Sequence, residues 1–184
     1  MNYTGLHADI ERVLLTQEEI SNKVKELGAQ ITKDYQGKNI LLVAILKGCV
    51  VFIADIMRAI NLPFAIDFMA VSSYGAQTKS SGVVKINLDL KNDIKDKHIL
   101  IIEDIIDTGL TLAYIKELLL NRKPKSVEIC SILNKPDCNK VDLKPKYLGY
   151  NIPSEFVVGY GLDYSECYRG LPYVGVLKRE VYEK

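Results

Sequence analysis

Cysteine is scarce in this chain, and the residues present, Cys49, Cys130, Cys138 and Cys167, form no C-x-x-C pair. They lack the density of a secreted disulfide scaffold, so the thiols are read as reduced and the protein as cytoplasmic. Charge of one sign is missing too. Lys and Arg number 24 against 23 Asp and Glu, a formal net charge of +1, which leaves no global field for nucleic acid or a membrane surface. Any phosphate binding must be local. No apolar run approaches the ~18 residues of a membrane span. The opening MNYTGLHADIERVLL carries acids early and no continuous apolar core, so no signal peptide is expected. Internal repeats and low-complexity segments are absent as well. The expected protein therefore has no nucleic-acid partner and no membrane partner.

What is present suits one globular domain. At 184 residues and 48% apolar content, the chain can hide roughly 70% of its unfolded surface.

The chain is organised around Ile99 to Leu112, ILIIEDIIDTGLTL. The apolar run through Ile102 has the length and branching of a buried parallel strand, and it ends in two carboxylates, Glu103 and Asp104. Ile105 and Ile106 follow, then Asp107-Thr108-Gly109-Leu110-Thr111. Gly109 permits a backbone turn closed to most residues, and Thr111 is expected to cap the helix behind it. In an open α/β sheet, ligands collect beyond the carboxyl ends of the strands. A helix N-terminus there offers free N–H groups and a positive dipole end to a phosphate. Thr108, Thr111 and the Gly109 backbone would supply neutral donors. Glu103 and Asp104 cannot share that phosphate, because like charges repel; they suit a sugar diol, or a Mg²⁺ ion bound to it. Asp107 stands at the mouth of the turn, placed to accept a proton from a reacting base. The alternative is a strand-to-helix connection with surface acids, which has to crowd three carboxylates into five positions.

Around this stretch the elements fall in order. Thr16-Gln17-Glu18-Glu19 is a capping box opening a helix from Gln17 to about Asp34, apolar at Ile20, Val24, Leu27 and Ile31. Asn39 to Leu46 is a buried strand that runs into Lys47-Gly48-Cys49 and a helix from about Val50 to Ile60. From the residues alone, Lys47 is as well read as a solvated loop lysine. Phe64 to Val71 alternates as a strand does, Ser72 to Gly82 breaks every periodicity, and Val83 to Leu88 is strand-like again. Beyond the helix that ends near Leu120, Ser126 to Leu133 is the next buried strand, with Asn134-Lys135-Pro136 at its end. Lys135 is thereby placed near the ligand side. Cys138 to Pro153 reads as irregular, with Lys140, Lys144 and Lys146 solvated. Phe156 to Asp163 reads as a strand leaving through glycines. Gly159-x-Gly161 opens like a dinucleotide fingerprint, but Tyr164 holds the third glycine's place, which excludes NAD. Tyr173 to Leu177 is a closing strand and Lys178 to Lys184 a polar tail.

The apolar strand, two acids, two apolar residues and D-T-G-x-T resemble the phosphoribosyl-pyrophosphate signature of the type I phosphoribosyltransferases. Leu46-Lys47-Gly48 and Phe156-Val157-Val158-Gly159-Tyr160 resemble further blocks of that family's hypoxanthine branch, and the resemblance spans roughly Leu6 to Leu177. It implies an α/β fold with a mostly parallel sheet flanked by helices. A small hood would come from the N-terminal segment and about residues 135–184, and a mobile lid from about 72–82, with Ser73 and Tyr74 at its start. It implies transfer of the 5-phosphoribosyl group of phosphoribosyl pyrophosphate to N9 of hypoxanthine or guanine, with Mg²⁺ as cofactor. Under it, Glu103, Asp104, Asp107, Thr108, Gly109, Leu110 and Thr111 bind the phosphoribosyl group, and Asp107 is also the catalytic base. Lys47, Gly48 and Arg169 take the pyrophosphate, while Lys135, Phe156, Val157 and Asp163 surround the purine. Glu103, Asp104 and Asp163 hold metal. The resemblance also implies an unusual non-proline peptide bond at Leu46–Lys47, a homodimer or homotetramer, and, from the short N-terminus, a bacterial source. The alternatives are a xanthine-preferring enzyme and a nucleotide-responsive regulator binding RNA or DNA; the latter would call for a basic surface.

Overall fold

The computed structural model describes residues 5–73 and 84–183. Its core is a sheet in which β2 (Ile40–Leu46), β5 (His98–Ile106), β6 (Ser126–Asn134), β7 (Tyr147–Asn151), β3 (Ala65–Ser73) and β4 (Val84–Leu88) lie in the order β4-β3-β2-β5-β6-β7. All neighbours are parallel except β3 and β4. The fold is therefore α/β with a mostly parallel sheet.

Side-chain alternation along the central strands divides the interior in two. Leu42, Ala44, Leu100, Ile102 and Ile132 face one way, against α1 (Gln17–Asp34) and α2 (Val50–Ala59). Leu41, Val43, Ile99, Ile101 and Ile129 face the other, against Leu112, Ile115 and Leu119 of α3 (Leu110–Leu120). Continuous apolar strands are required because both faces are covered. At the start of α1 the Thr16 hydroxyl accepts from the Glu19 N–H and the Glu19 carboxylate accepts from the Thr16 N–H, the expected capping box.

The segment before α1 is a strand, β1 (Ile10–Leu15). It pairs antiparallel with β9 (Val174–Leu177), which also pairs with β8 (Val157–Val158). The two ends of the chain thus build a second, three-stranded sheet over the carboxyl ends of the first. The strand expected from Phe156 to Asp163 is cut to two residues, because Gly159, Tyr160 and Gly161 all take positive φ. Residues 147–151, read as irregular, form the edge strand β7. Its tyrosines bind both ends of α1, Tyr147 Oη donating to Asp34 at 2.7 Å and Tyr150 Oη to the Glu19 carbonyl at 2.9 Å. Lys146 is more than a solvated lysine, lying 3.3 Å from Asp34 and over the rings of Tyr35 and Tyr147. The polar tail contains a short helix, α4 (Arg179–Tyr182). Among the described residues, no helix is long and apolar enough to cross a membrane.

Candidate active site

Glu103 and Asp104 do not end the strand as expected: Ile105 and Ile106 continue the pairing of β5 with β6, and because successive side chains of a strand leave on opposite faces, the two acids enter different spaces. Glu103 borders a cavity of about 180 Å³ with Thr108, Gly109 and Thr111. Asp104 borders one of about 500 Å³ with Lys47, Gly48, Lys135, Phe156, Asp163 and Arg169. Ile105 and Asp107 line both, so the two spaces adjoin around the strand end.

Both acids are poorly solvated. Glu103 Oε2 is buried without a hydrogen-bond partner among the described residues, and burial, followed by repulsion from Asp104, raises its pKa well above the ordinary carboxylate value. Burial lifts Asp104 to about 6, although its Oδ1 accepts the Ile105 N–H at 2.8 Å and Arg169 pulls the other way. An orphaned carboxylate oxygen with a second desolvated acid at the next position suits a hard divalent cation where the two spaces adjoin. Among the described residues no group of three or more His, Cys, Asp and Glu side chains gathers to hold a metal. Two carboxylates suit Mg²⁺, which keeps several waters and takes its remaining oxygens from a substrate.

The turn at the head of α3 corrects one expectation. Gly109, at φ 76° and ψ −10°, is the N-cap, so Leu110 opens the helix and Thr111 lies inside its first turn rather than capping it. A glycine at the cap has no side chain with which to bond the first-turn N–H groups. Thr108 Oγ1 comes only to 3.5 Å of the Leu110 nitrogen. Free N–H groups and a dipole end therefore face the smaller cavity, with Thr108 and Thr111 beside it.

At the end of β2 the Leu46–Lys47 peptide bond is cis. Gly48 cannot be replaced without displacement, since a Cβ there would stand 1.6 Å from Asp104 Oδ2. Lys47 Nζ donates to both Glu166 oxygens, at 3.1 and 3.2 Å. Arg169 lies 2.8 Å from Asp163 and 3.4 Å from Glu166, and its Nη1 donates to the Gly161 carbonyl at 2.9 Å. Each cation at this end is thus held by an acid. Glu166 was not foreseen. Ser165 and Glu166, at φ 50° and 62°, form the two-residue loop between Tyr164 and Cys167, where turn chemistry favours Asn-Gly.

Phe156 is 37% exposed, so it is not a core aromatic. Its ring stacks on Tyr182 of α4, with centroids 4.8 Å apart and planes at 21°. Tyr182 and Ile105 are two neighbours of the site that residue types alone gave no reason to single out. Val157 and Lys135 border the larger cavity with Phe156. Ser73 ends β3, and Tyr74 and the rest of the expected lid through residue 82 lie outside the described residues.

Residues 13–165 match the phosphoribosyl transferase domain family. The chain is 55% identical to the hypoxanthine-guanine phosphoribosyltransferase of Staphylococcus aureus over 177 residues, 96% of this chain and 99% of that protein. Identity to the enzyme of the same name from Streptococcus thermophilus is 51% over 179 residues, covering 97% and 99%. A crystal structure of a hypoxanthine phosphoribosyltransferase from Staphylococcus aureus superposes with a TM-score of 0.96, at 54% identity and complete coverage of both chains.

Proposed function

The chain belongs to the phosphoribosyl transferase domain family, and from that premise we propose that it joins hypoxanthine or guanine to phosphoribosyl pyrophosphate in purine salvage. Purine N9 attacks C1′ of the sugar, the bond from C1′ to the pyrophosphate oxygen breaks, and IMP or GMP leaves with pyrophosphate. The observation that carries this reading is one cavity bordered by Lys47, Asp104, Asp107, Lys135, Phe156 and Arg169. These six include two acids, three cations and one aromatic ring around a single space.

In this reading the 5′-phosphate rests on the α3 N-terminus, against Thr108, Gly109, Leu110 and Thr111. Glu103 and Asp104 hold the ribose side and would hold Mg²⁺, with Asp163 as ligand to a second ion on the pyrophosphate. Mg²⁺ bound there would supply positive charge to the diol and the leaving group. Asp107 takes the proton from purine N7 as N9 attacks. Lys135 donates to the oxygen on C6, Phe156 stacks on the base, and the Val157 backbone reads its edge. Lys47, the Gly48 backbone and Arg169 stabilise the negative charge that grows on the leaving pyrophosphate. The protein acts in the cytoplasm as a homodimer or homotetramer.

Steady-state turnover with phosphoribosyl pyrophosphate, Mg²⁺ and each of hypoxanthine, guanine, xanthine and adenine tests the reading. Hypoxanthine and guanine should turn over, with adenine at least about 10³-fold poorer in kcat/KM, because its amino group meets the Lys135 ammonium donor to donor. Turnover of no base, with phosphoribosyl pyrophosphate still bound, would overturn it.

A further inference from the structure

Behind the pair assigned to the purine lies a row of amides that none of the roles above uses. Asn134 ends β6 and is 7% exposed; its side-chain amide lies 2.8 Å from that of Asn151 and 3.2 Å from that of Asn139. The far side of the Asn139 amide meets two backbone oxygens, Asp107 O at 2.6 Å and Lys135 O at 3.1 Å. An amide oxygen facing two carbonyl oxygens at those distances would be repelled, so the nitrogen must face them and donate to both. Asn134 at the other end of the contact donates through Nδ2 to Asn151 Oδ1 at 2.8 Å.

Local backbone bonds place this amide where it is. Lys135 N–H donates to the Ile106 carbonyl at 2.8 Å, and Lys140 N–H to the Thr108 carbonyl at 2.9 Å. The short 3-10 turn Pro136–Cys138 between them delivers half-buried Asn139 under the ends of β5 and β6. One side chain is thereby bonded to the main chain of both Asp107 and Lys135.

We propose that Asn139 is a positioning residue for base recognition, its amide clamping the carbonyls of Asp107 and Lys135 so that proton acceptor and C6-oxygen donor keep a fixed spacing. The proposal rests on the roles given to those two residues above. Misplacement of a reacting group by about 1 Å can cost on the order of 10²-fold in rate. Two fixed points on one planar base leave little room for such a shift.

The test compares Asn139→Asp and Asn139→Ala with the wild type and Lys135→Ala. For each, kcat and KM with hypoxanthine and adenine are measured, with the Kd for phosphoribosyl pyrophosphate in the absence of base. Both Asn139 variants should lose about 10- to 100-fold in kcat/KM for hypoxanthine through a raised KM. The preference over adenine should contract, while the phosphoribosyl pyrophosphate Kd stays within about twofold. A purely structural role would lower the active fraction and leave KM and base preference untouched, and that result overturns the clamp. So does an equal loss of affinity for both substrates. Should Asn139→Asp fold poorly, Asn139→Ala, which removes the donor without adding charge, carries the same expectations. A wild type inactive on hypoxanthine, or Lys135→Ala with unchanged base KM, overturns the functional reading and the clamp with it. Indifferent Asn139 variants beside a responsive Lys135→Ala overturn the clamp alone.

Discussion

Replacing Asp104 by Asn should make the metal-free protein more stable at neutral pH while damaging its function. Burial lifts the Asp104 pKa from 3.8 to about 6. The folded state therefore releases this proton later than the unfolded chain does. At 1.36 kcal/mol per pKa unit, the ionised carboxylate costs the fold about 3 kcal/mol, an upper figure because the group retains some solvent access. Below about pH 4 the carboxyl is protonated in both states and the two proteins should be equally stable. Between about pH 4 and 6 the unfolded chain ionises first, so the wild type loses ground to Asp104→Asn, and above about pH 6 the gap is constant. The Ile105 N–H, 2.8 Å from Oδ1, keeps an acceptor in Asn. Urea or thermal unfolding in EDTA from pH 4 to 8 reads the effect, expected at roughly 1–3 kcal/mol at pH 7.5, or about 2–10 °C in Tm. The same substitution should weaken phosphoribosyl pyrophosphate binding in Mg²⁺. Equal stability at pH 7.5, or a gap that persists at pH 4, would refute the claim that burial of the charge is what the fold bears.

Glu166→Gln should tighten pyrophosphate binding by up to about fivefold, the scale of an exposed ion pair, because Lys47 and Arg169 would no longer be shared with a carboxylate. Competitive inhibition by pyrophosphate at two salt concentrations measures it, and unchanged or weaker inhibition would mean that Glu166 does not compete. Gly48→Ala should cut turnover by at least about 10²-fold, since its Cβ would stand 1.6 Å from Asp104 Oδ2 and push apart two sides of the site. Near-normal kcat/KM would show that the turn can relax away from the carboxylate.

Legibility followed the range of the interaction that decides each feature. The capping box of α1 and the apolar runs of β2 and β6 are fixed by neighbours in the chain, and they stand within a residue or so of where the sequence puts them, while β5 starts as expected but runs on through both acids to Ile106 because its pairing with β6 continues. The strand-end acids and the turn through Gly109 were legible for the same reason. Thr111 misled because a threonine near a helix start is an ordinary cap, whereas here the left-handed glycine takes that position and the hydroxyl enters the first turn. Edge strand β7 has no apolar run to announce it. It is held by parallel pairing with β6 and by two tyrosine hydroxyls on α1, the latter contacts over more than a hundred positions of sequence. The Lys47–Glu166 pair spans 119 positions and depends on a turn whose residues give no turn signal. Nor could alternation along β5, legible in principle, say which cavity would take which acid.

The arrangement also explains why the site is built from matched imperfections. Glu103 and Asp104 are acids with too little solvent and, among the described residues, no hydrogen-bond partner for Glu103 Oε2, while Lys47 and Arg169, which border the larger cavity with Asp104, are tied to Glu166 and Asp163. Removing the acids would favour the fold, and freeing the cations would favour any passing anion. A ligand that brings positive charge to the first pair and negative charge to the second answers both at once, and neither a bare sugar nor a bare anion does so. Selectivity for a metal-bound sugar pyrophosphate can therefore arise from desolvated acids and acid-bound cations around adjoining cavities. The free energy released when both are met is available to hold the reacting carbon against the purine.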